Sequence, residues 1–155
     1  MMAETNTSAA LGDHPSKLFV EVTTRCNLKC AMCVKHSGAA CLPEGDLSRA
    51  RFSRLEEGMH ALRALVLSGI GEPLLHPDLE YFIARARSLM PAEAWVGFQT
   101  NGFLMSERRA DSIIAAGAGR ICVSVDASSA ETFSAVRGVG DPSVTARALA
   151  ALVRA

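Results

Sequence analysis

Cys26, Cys30 and Cys33 stand in the segment CNLKCAMC, three thiols within eight residues. Thiolates are the preferred ligands of iron–sulfur clusters, and three of them at short loop spacings can hold three corners of a cubane. One iron is then left without a protein ligand, and an open position on a redox metal is where a cofactor or substrate can bind directly. The same three cysteines with Cys41 or His36 as fourth ligand would instead make a closed structural zinc site. Cys122, inside an apolar run, reads as a buried, inert thiol, and Cys41 sits in a loop containing Gly and Pro.

The elements that must position this loop can be read from apolar patterning. Four β-branched or aliphatic runs, 17–23, 64–68, 95–100 and 121–125, read as strands, each followed by a loop and a stretch of helical composition. The cysteines follow the first run directly. Pro77 sits where a first-turn residue belongs, ahead of DLEYFIARARSLM. Ser106 can cap a helix to Ala116, with Gly117 ending it in the left-handed conformation. Ser128 and Glu131 have capping-box spacing, and Asp141-Pro142 opens a last helix through Ala151. A helix over 47–62 is weakened by Gly58. Strand and helix alternate four times with no hairpin signal, which predicts an α/β fold: a parallel sheet of about four βα units, part of a (β/α) barrel.

Three further motifs fall where this pattern puts strand ends: SGIGEPLLHPDL after the second strand, QTNG after the third and SVD at the fourth, with ETFSAVRG beyond. In parallel βα architectures the loops at the carboxyl ends of strands gather on one face, and sites are built there. Together with CxxxCxxC these motifs resemble the radical S-adenosylmethionine (SAM) superfamily over nearly all of 17–155. In form they are most similar to the branch containing molybdenum-cofactor and pyrroloquinoline-quinone biosynthesis enzymes and peptide-modifying maturases with SPASM domains.

The resemblance implies a [4Fe-4S] cluster on Cys26, Cys30 and Cys33, with SAM chelating the open iron. Reductive cleavage of SAM then gives a 5′-deoxyadenosyl radical that abstracts a hydrogen atom from substrate. It places Gly69, Gly71, Glu72 and Pro73 in the motif whose backbone meets the SAM amino group, and glycines suit such an approach. Ile70 departs from the commoner second glycine. Ser124 is placed on the SAM ribose, with Asp126 and Asn101 beside it. Arg137 is placed on the SAM carboxylate, for which a guanidinium fork is suited. Met32 stands near the adenine, where the family often has an aromatic residue. The implied partners are SAM, a substrate of the peptide or cofactor-precursor kind, and an electron donor such as a flavodoxin or ferredoxin. The chain is expected to be the N-terminal part of the core domain, preceded by a flexible leader over 1–16 and stopping before strands five and six, whose absence would leave an open sheet edge. A non-catalytic zinc module and an iron–sulfur protein without SAM are the rival readings.

Composition sets the remaining bounds. The chain has 155 residues with Lys+Arg and Asp+Glu both 16, and its basic residues form no stripe, so nucleic acid and anionic membrane surfaces are not expected partners. No apolar run reaches the roughly 18 residues of a membrane span, and a secretory signal is missing. Five cysteines is an odd number for a disulfide framework. Both observations point to the reducing cytoplasm. Phe98 and Phe103 read as core or wall, and His36, His60 and His76 have no paired carboxylate in sequence that would single one out as a base.

Overall fold

The computed structural model describes residues 14–36 and 43–155. Cys41 and the first thirteen residues of the expected leader therefore lie outside the described residues. Among the described residues four strands form one parallel sheet in the order of the chain: β1 Lys17–Phe19, β2 Ala64–Val66, β3 Trp95–Thr100 and β4 Ala118–Val123. Phe19 pairs with Val66, Val66 with Gly97, and Gly97 with Arg120, so the strand ends advance in step. This is the α/β architecture that the alternation of strands and helices predicts.

β3 spans the run read from the sequence, and the others differ at their ends. β1 and β2 are shorter ladders, although their chains continue extended: Val20 donates its N–H to the Val66 carbonyl (2.9 Å) and Leu67 to the Gly97 carbonyl (2.8 Å). β4 starts three residues early, at Ala118, with a register shift against β3 beside Gly97. Ser16 already accepts N–H bonds from Arg63 and Ala64 ahead of β1.

The α-helices among the described residues follow the strands: α1 Arg49–Phe52, α2 Leu79–Leu89, α3 Glu107–Ala115, α4 Ala130–Arg137 and α5 Ser143–Arg154. α3 is capped as predicted, with Ser106 accepting from the Arg109 N–H and Gly117 at φ 96°. In α4 the cap is Ser129, not Ser128, because its hydroxyl accepts from the Thr132 N–H (3.2 Å). α2 begins one residue after Asp78, so Pro77 precedes the helix instead of opening it. The Asp78 N–H is held by His76 Nδ1 (2.9 Å) and its carboxylate by Arg49. The helix read over 47–62 is a single turn, α1, running into 3₁₀ turns over Ser53–Ala61. α5 extends past Ala151 to Arg154.

One face of the sheet packs on the helices. Val20, Val22, Leu65, Leu67, Val96 and Phe98 meet Phe52, Met59, Phe82, Ile83 and Ile113 in a continuous core, with Phe52 and Phe82 stacked at 4.4 Å. The other face carries the alternate residues Phe19, Ser68, Gln99, Arg120 and Cys122, and Phe19 is 63% exposed. Cys122 is exposed as well, which corrects its reading as a core thiol. Strand alternation gives Ile121 and Val123 to the helices, and Cys122 between them must face the opposite way. Among the described residues no helix is long and apolar enough to cross a membrane.

Candidate functional site

The chain leaving β1 is clamped before it reaches the cysteines. Thr23 is buried and donates its hydroxyl to Asp46 Oδ1 (2.7 Å). Arg25 grips the same carboxylate with Nε (3.0 Å) and Nη2 (2.7 Å), and also donates to the Leu75 carbonyl (2.9 Å). Arg25 in turn accepts the N–H of Glu72 (2.8 Å), which ties the cysteine loop to the segment after β2. Farther along, Ala31 donates its N–H to the Val136 carbonyl of α4 (2.8 Å), and the Lys35 ammonium donates to the Thr24 carbonyl (2.7 Å). The loop is thus fixed at its base, its middle and its exit.

Between these ties the three thiols stand half-buried on one wall of a cleft of about 300 Å³ at the carboxyl ends of the strands. Burial pushes the Cys30 thiol above its ordinary value, Arg137 pulls it down, and the neighbouring Cys26, Cys33 and Asp126 raise it further. Mutual repulsion of this kind is what a cationic metal centre relieves. Among the described residues no group of three His, Cys, Asp or Glu side chains is placed to hold a single metal ion. A cubane takes each thiolate on a different iron, so its ligands need not converge on one point. His36, the described candidate for a fourth zinc ligand, has Nε2 at 3.3 Å from the Leu28 carbonyl oxygen. Among the described residues the donor set is thiols only, with no fourth protein ligand beside them, and it fits an iron–sulfur cluster with an open corner.

The cleft also gathers Met32, Gly69, Gly71, Glu72, Asn101, Ser124, Asp126 and Arg137, so every residue that the resemblance assigned to the cluster or to SAM lines it except Pro73. Pro73 is buried at the start of a short 3₁₀ turn and shapes the loop. The glycines serve a packing need that their motif did not disclose. A Cβ at Gly71 would strike the carbonyl oxygens of Thr23 and Arg25, and one at Gly69 would strike the Glu21 side chain, which accepts the Ile70 N–H (2.6 Å). The close approach made here is between two segments of the same chain.

Glu72 is 2% exposed, and both its oxygens are engaged: Oε1 accepts from the Leu74 N–H (3.1 Å) and the Thr100 hydroxyl (2.7 Å), Oε2 from the Asn101 N–H (2.7 Å). Burial raises its pKa against the pull of these donors. Its carboxylate therefore joins the loops after β2 and β3. Asn101 follows, donating to Asn27 Oδ1 (2.8 Å) and lying 4.0 Å from Cys26 Sγ, while its own Oδ1 accepts from the Phe103 N–H.

Arg137, 3% exposed, reaches from the last turn of α4 to donate to the Ser124 carbonyl (2.8 Å) and to pair with Asp126. Its Nε is buried without a partner, so a residue that lines the cleft carries an unsatisfied charged donor. Asp126 adopts φ 58°, in the left-handed region. Met32 is mostly exposed at the rim.

Of the lining residues that motif and spacing do not single out, Gln99 lies in QTNG and Ser68 in SGIGEP. In the structure the Gln99 N–H donates to Ser68 Oγ (2.7 Å) and its amide Nε2 to Ser124 Oγ (2.9 Å), which makes a polar row across the ends of β2, β3 and β4. His76, in contrast, is 1% exposed with both ring nitrogens engaged, by the Leu47 carbonyl and the Asp78 N–H, and takes no part in the cleft.

Known proteins resemble this chain in sequence and in fold. The family model described as the radical SAM superfamily matches residues 20–155. A GTP 3′,8-cyclase from Pelotomaculum thermopropionicum is 33% identical over 131 residues, covering 80% of this chain and 38% of the relative. An AdoMet-dependent heme synthase from Methanosarcina barkeri is 32% identical over 145 residues, covering 92% of this chain and 40% of the relative. The chain thus spans well under half the length of these relatives. The solved structure of native anSMEcpe with bound AdoMet superimposes with TM-score 0.72 at 22% identity, over 90% of this chain and 42% of that one, a likeness of fold.

Proposed function

The chain belongs to the radical SAM superfamily, and from that premise we propose that its cleft binds a [4Fe-4S] cluster through Cys26, Cys30 and Cys33 with S-adenosylmethionine beside it, for reductive cleavage of SAM and hydrogen-atom abstraction from a substrate. The observation that carries the reading is a single cleft that joins three thiols to Gly69, Gly71, Asn101, Ser124, Asp126 and Arg137. When bound, the reduced cluster and SAM supply methionine and a 5′-deoxyadenosyl radical.

The protein's part is to bind and orient. Arg25, itself steadied on Asp46, holds the cysteine loop against the loop after β2 through its bonds to the Leu75 carbonyl and from the Glu72 N–H, so the thiols and the GIGEP backbone keep one spacing. Arg137, already fixed by Ser124 and Asp126, offers its unpartnered Nε as the donor for the SAM carboxylate. Backbone groups around Gly69 and Gly71 face the SAM amino group, the Ser124 hydroxyl faces the ribose, and Met32 at the rim packs on the adenine. Asn101 braces Asn27 beside Cys26. Glu72 and Pro73 act one step back, by holding the loops that carry these groups.

In this reading residues 17–155 are four βα units of a radical SAM core, and an external one-electron donor is required. The relatives' names describe a cyclase acting on GTP and a heme synthase, two different outcomes, so no substrate is carried over from them.

The test is low-temperature electron paramagnetic resonance of the anaerobically reconstituted, reduced chain with and without SAM. A [4Fe-4S]⁺ signal that changes when SAM is added is the expected result. A cluster signal indifferent to SAM would reduce the reading to an iron–sulfur protein, and zinc in place of iron would overturn it.

A further inference from the structure

We propose that Gln99 is a positioning residue: it turns the Ser124 hydroxyl into a hydrogen-bond donor toward the cofactor's ribose, an inference that rests on the reading above. Alternation along β3 sends Val96, Phe98 and Thr100 to the buried side and Gln99 to the open one. There its main chain is held by the bond from its N–H to Ser68 Oγ (2.7 Å), and its side-chain Nε2 donates to Ser124 Oγ (2.9 Å).

Ser124 has almost no freedom left. Its N–H donates to the Thr100 carbonyl (2.9 Å) and its carbonyl accepts from Arg137 (2.8 Å), so the backbone is fixed on both sides. A hydroxyl carries one proton and two lone pairs. With one lone pair facing the Gln99 amide, the proton must turn away from Gln99. Ser68, Gln99 and Ser124 all line the cleft. A ribose hydroxyl can either donate or accept. Ser124 set in this way asks it to accept, while Gln99 itself need not touch the cofactor.

Gln99→Glu separates this role from a merely structural one. The glutamate has the same shape but only accepts, so the Ser124 proton turns back onto it, and a ribose hydroxyl that accepts in wild type must turn its own proton from its other partner to keep any bond to Ser124. The measurement is calorimetric binding of SAM, 2′-deoxy-SAM and 3′-deoxy-SAM to the anaerobically reconstituted chain. Wild type is expected to bind one of the deoxy analogues about tenfold more weakly than SAM, the scale of one hydrogen bond. Gln99→Glu is expected to bind SAM as weakly as that analogue and to discriminate between them no longer. Ser124→Ala should show the same loss, with Gln99→Glu adding nothing on top of it. Gln99 is exposed, and Gln99→Met, of similar length and without a donor, gives a second reading free of added charge; it should also erode the discrimination. Equal weakening of SAM and both analogues, or discrimination unchanged in Gln99→Glu, would overturn the inference while leaving SAM binding intact. Absence of SAM binding by the wild-type chain would overturn the proposed function, and this inference with it.

Discussion

Asp126 closes on the guanidinium of Arg137 from a backbone held at φ 58°, so a residue in the left-handed region supplies the counter-charge of a nearly buried arginine. The pairing gives distinct expectations for three substitutions. Asp126→Asn keeps a residue type that tolerates this conformation but leaves Arg137 without its anion. A fully buried pair loses more, but Asp126 is partly exposed, so a loss of about 2 kcal/mol in urea unfolding is expected. Asp126→Ala should lose roughly 1 kcal/mol more through backbone strain, and Asp126→Gly should fall with Asn, not Ala. Equal stability for Asn and Ala would show that the backbone conformation carries no cost.

Gly69 and Gly71 look alike in the sequence and should respond differently to alanine. At Gly71 the new Cβ would meet main-chain oxygens of Thr23 and Arg25, which cannot move without shifting the cysteine loop. Gly71→Ala is therefore expected to lower iron retention after reconstitution and to destabilise the fold by about 2–3 kcal/mol. At Gly69 the obstacle is the Glu21 side chain, which can swing aside at the loss of its bond from the Ile70 N–H. That loss is about 1 kcal/mol, and Gly69→Ala made together with Glu21→Ala should cost little beyond Glu21→Ala alone. Iron content and urea midpoints of the four variants check both statements.

Glu72 accepts three hydrogen bonds in a site closed to water. Glu72→Ala strands the donors of Leu74, Thr100 and Asn101, and a destabilisation of about 2–4 kcal/mol is expected. Glu72→Gln keeps the shape but turns an amide NH₂ toward those donors, so it should recover only part of the loss. A direct cofactor ligand would behave otherwise: the variants would unfold as wild type does and lose only SAM binding.

How far the site was legible in the sequence follows from which kind of information each residue needs. The cysteines, GIGEP and SVD announce themselves by type and spacing, and each falls at a strand end that apolar patterning also marks. β3 was readable because WVGFQT is bounded by a Pro-containing loop and by Asn-Gly. β4 was placed too late, because Gly119 and Arg120 look like a turn when they in fact continue the ladder beside Gly97. The face of Cys122 depended on that same register. Gln99 and Ser68 were passed over for a related reason. A polar residue in a strand reads as solvated, and only the side-by-side alignment of β2, β3 and β4 turns the two into a row reaching Ser124. Ser128 and Ser129 are equivalent as caps by composition, and the choice belongs to the loop geometry after Asp126.

Acid should loosen the cysteine loop first through Asp46. Desolvation would raise this carboxyl, but the hydrogen bonds from Arg25 and Thr23 and the Arg25 charge outweigh it and hold the pKa below the usual aspartate range. A carboxyl depressed in the folded state adds stability above its unfolded pKa, about 3.9, and that stability is lost as the pH falls through the lower folded value. Asp46→Asn removes this dependence, so its urea midpoint should change less than that of wild type as the pH is taken from about 5 to below 3. The residual slope belongs to Glu44, Glu56, Asp78 and Asp141, whose carboxyls are depressed as well. Glu72 runs in the opposite sense: burial raises it, so its contribution is complete at low pH and is lost as the pH rises through its folded value. The two effects separate along the pH axis. Parallel slopes for wild type and Asp46→Asn on the acid side would mean that the Arg25–Asp46 clamp does not govern the loop.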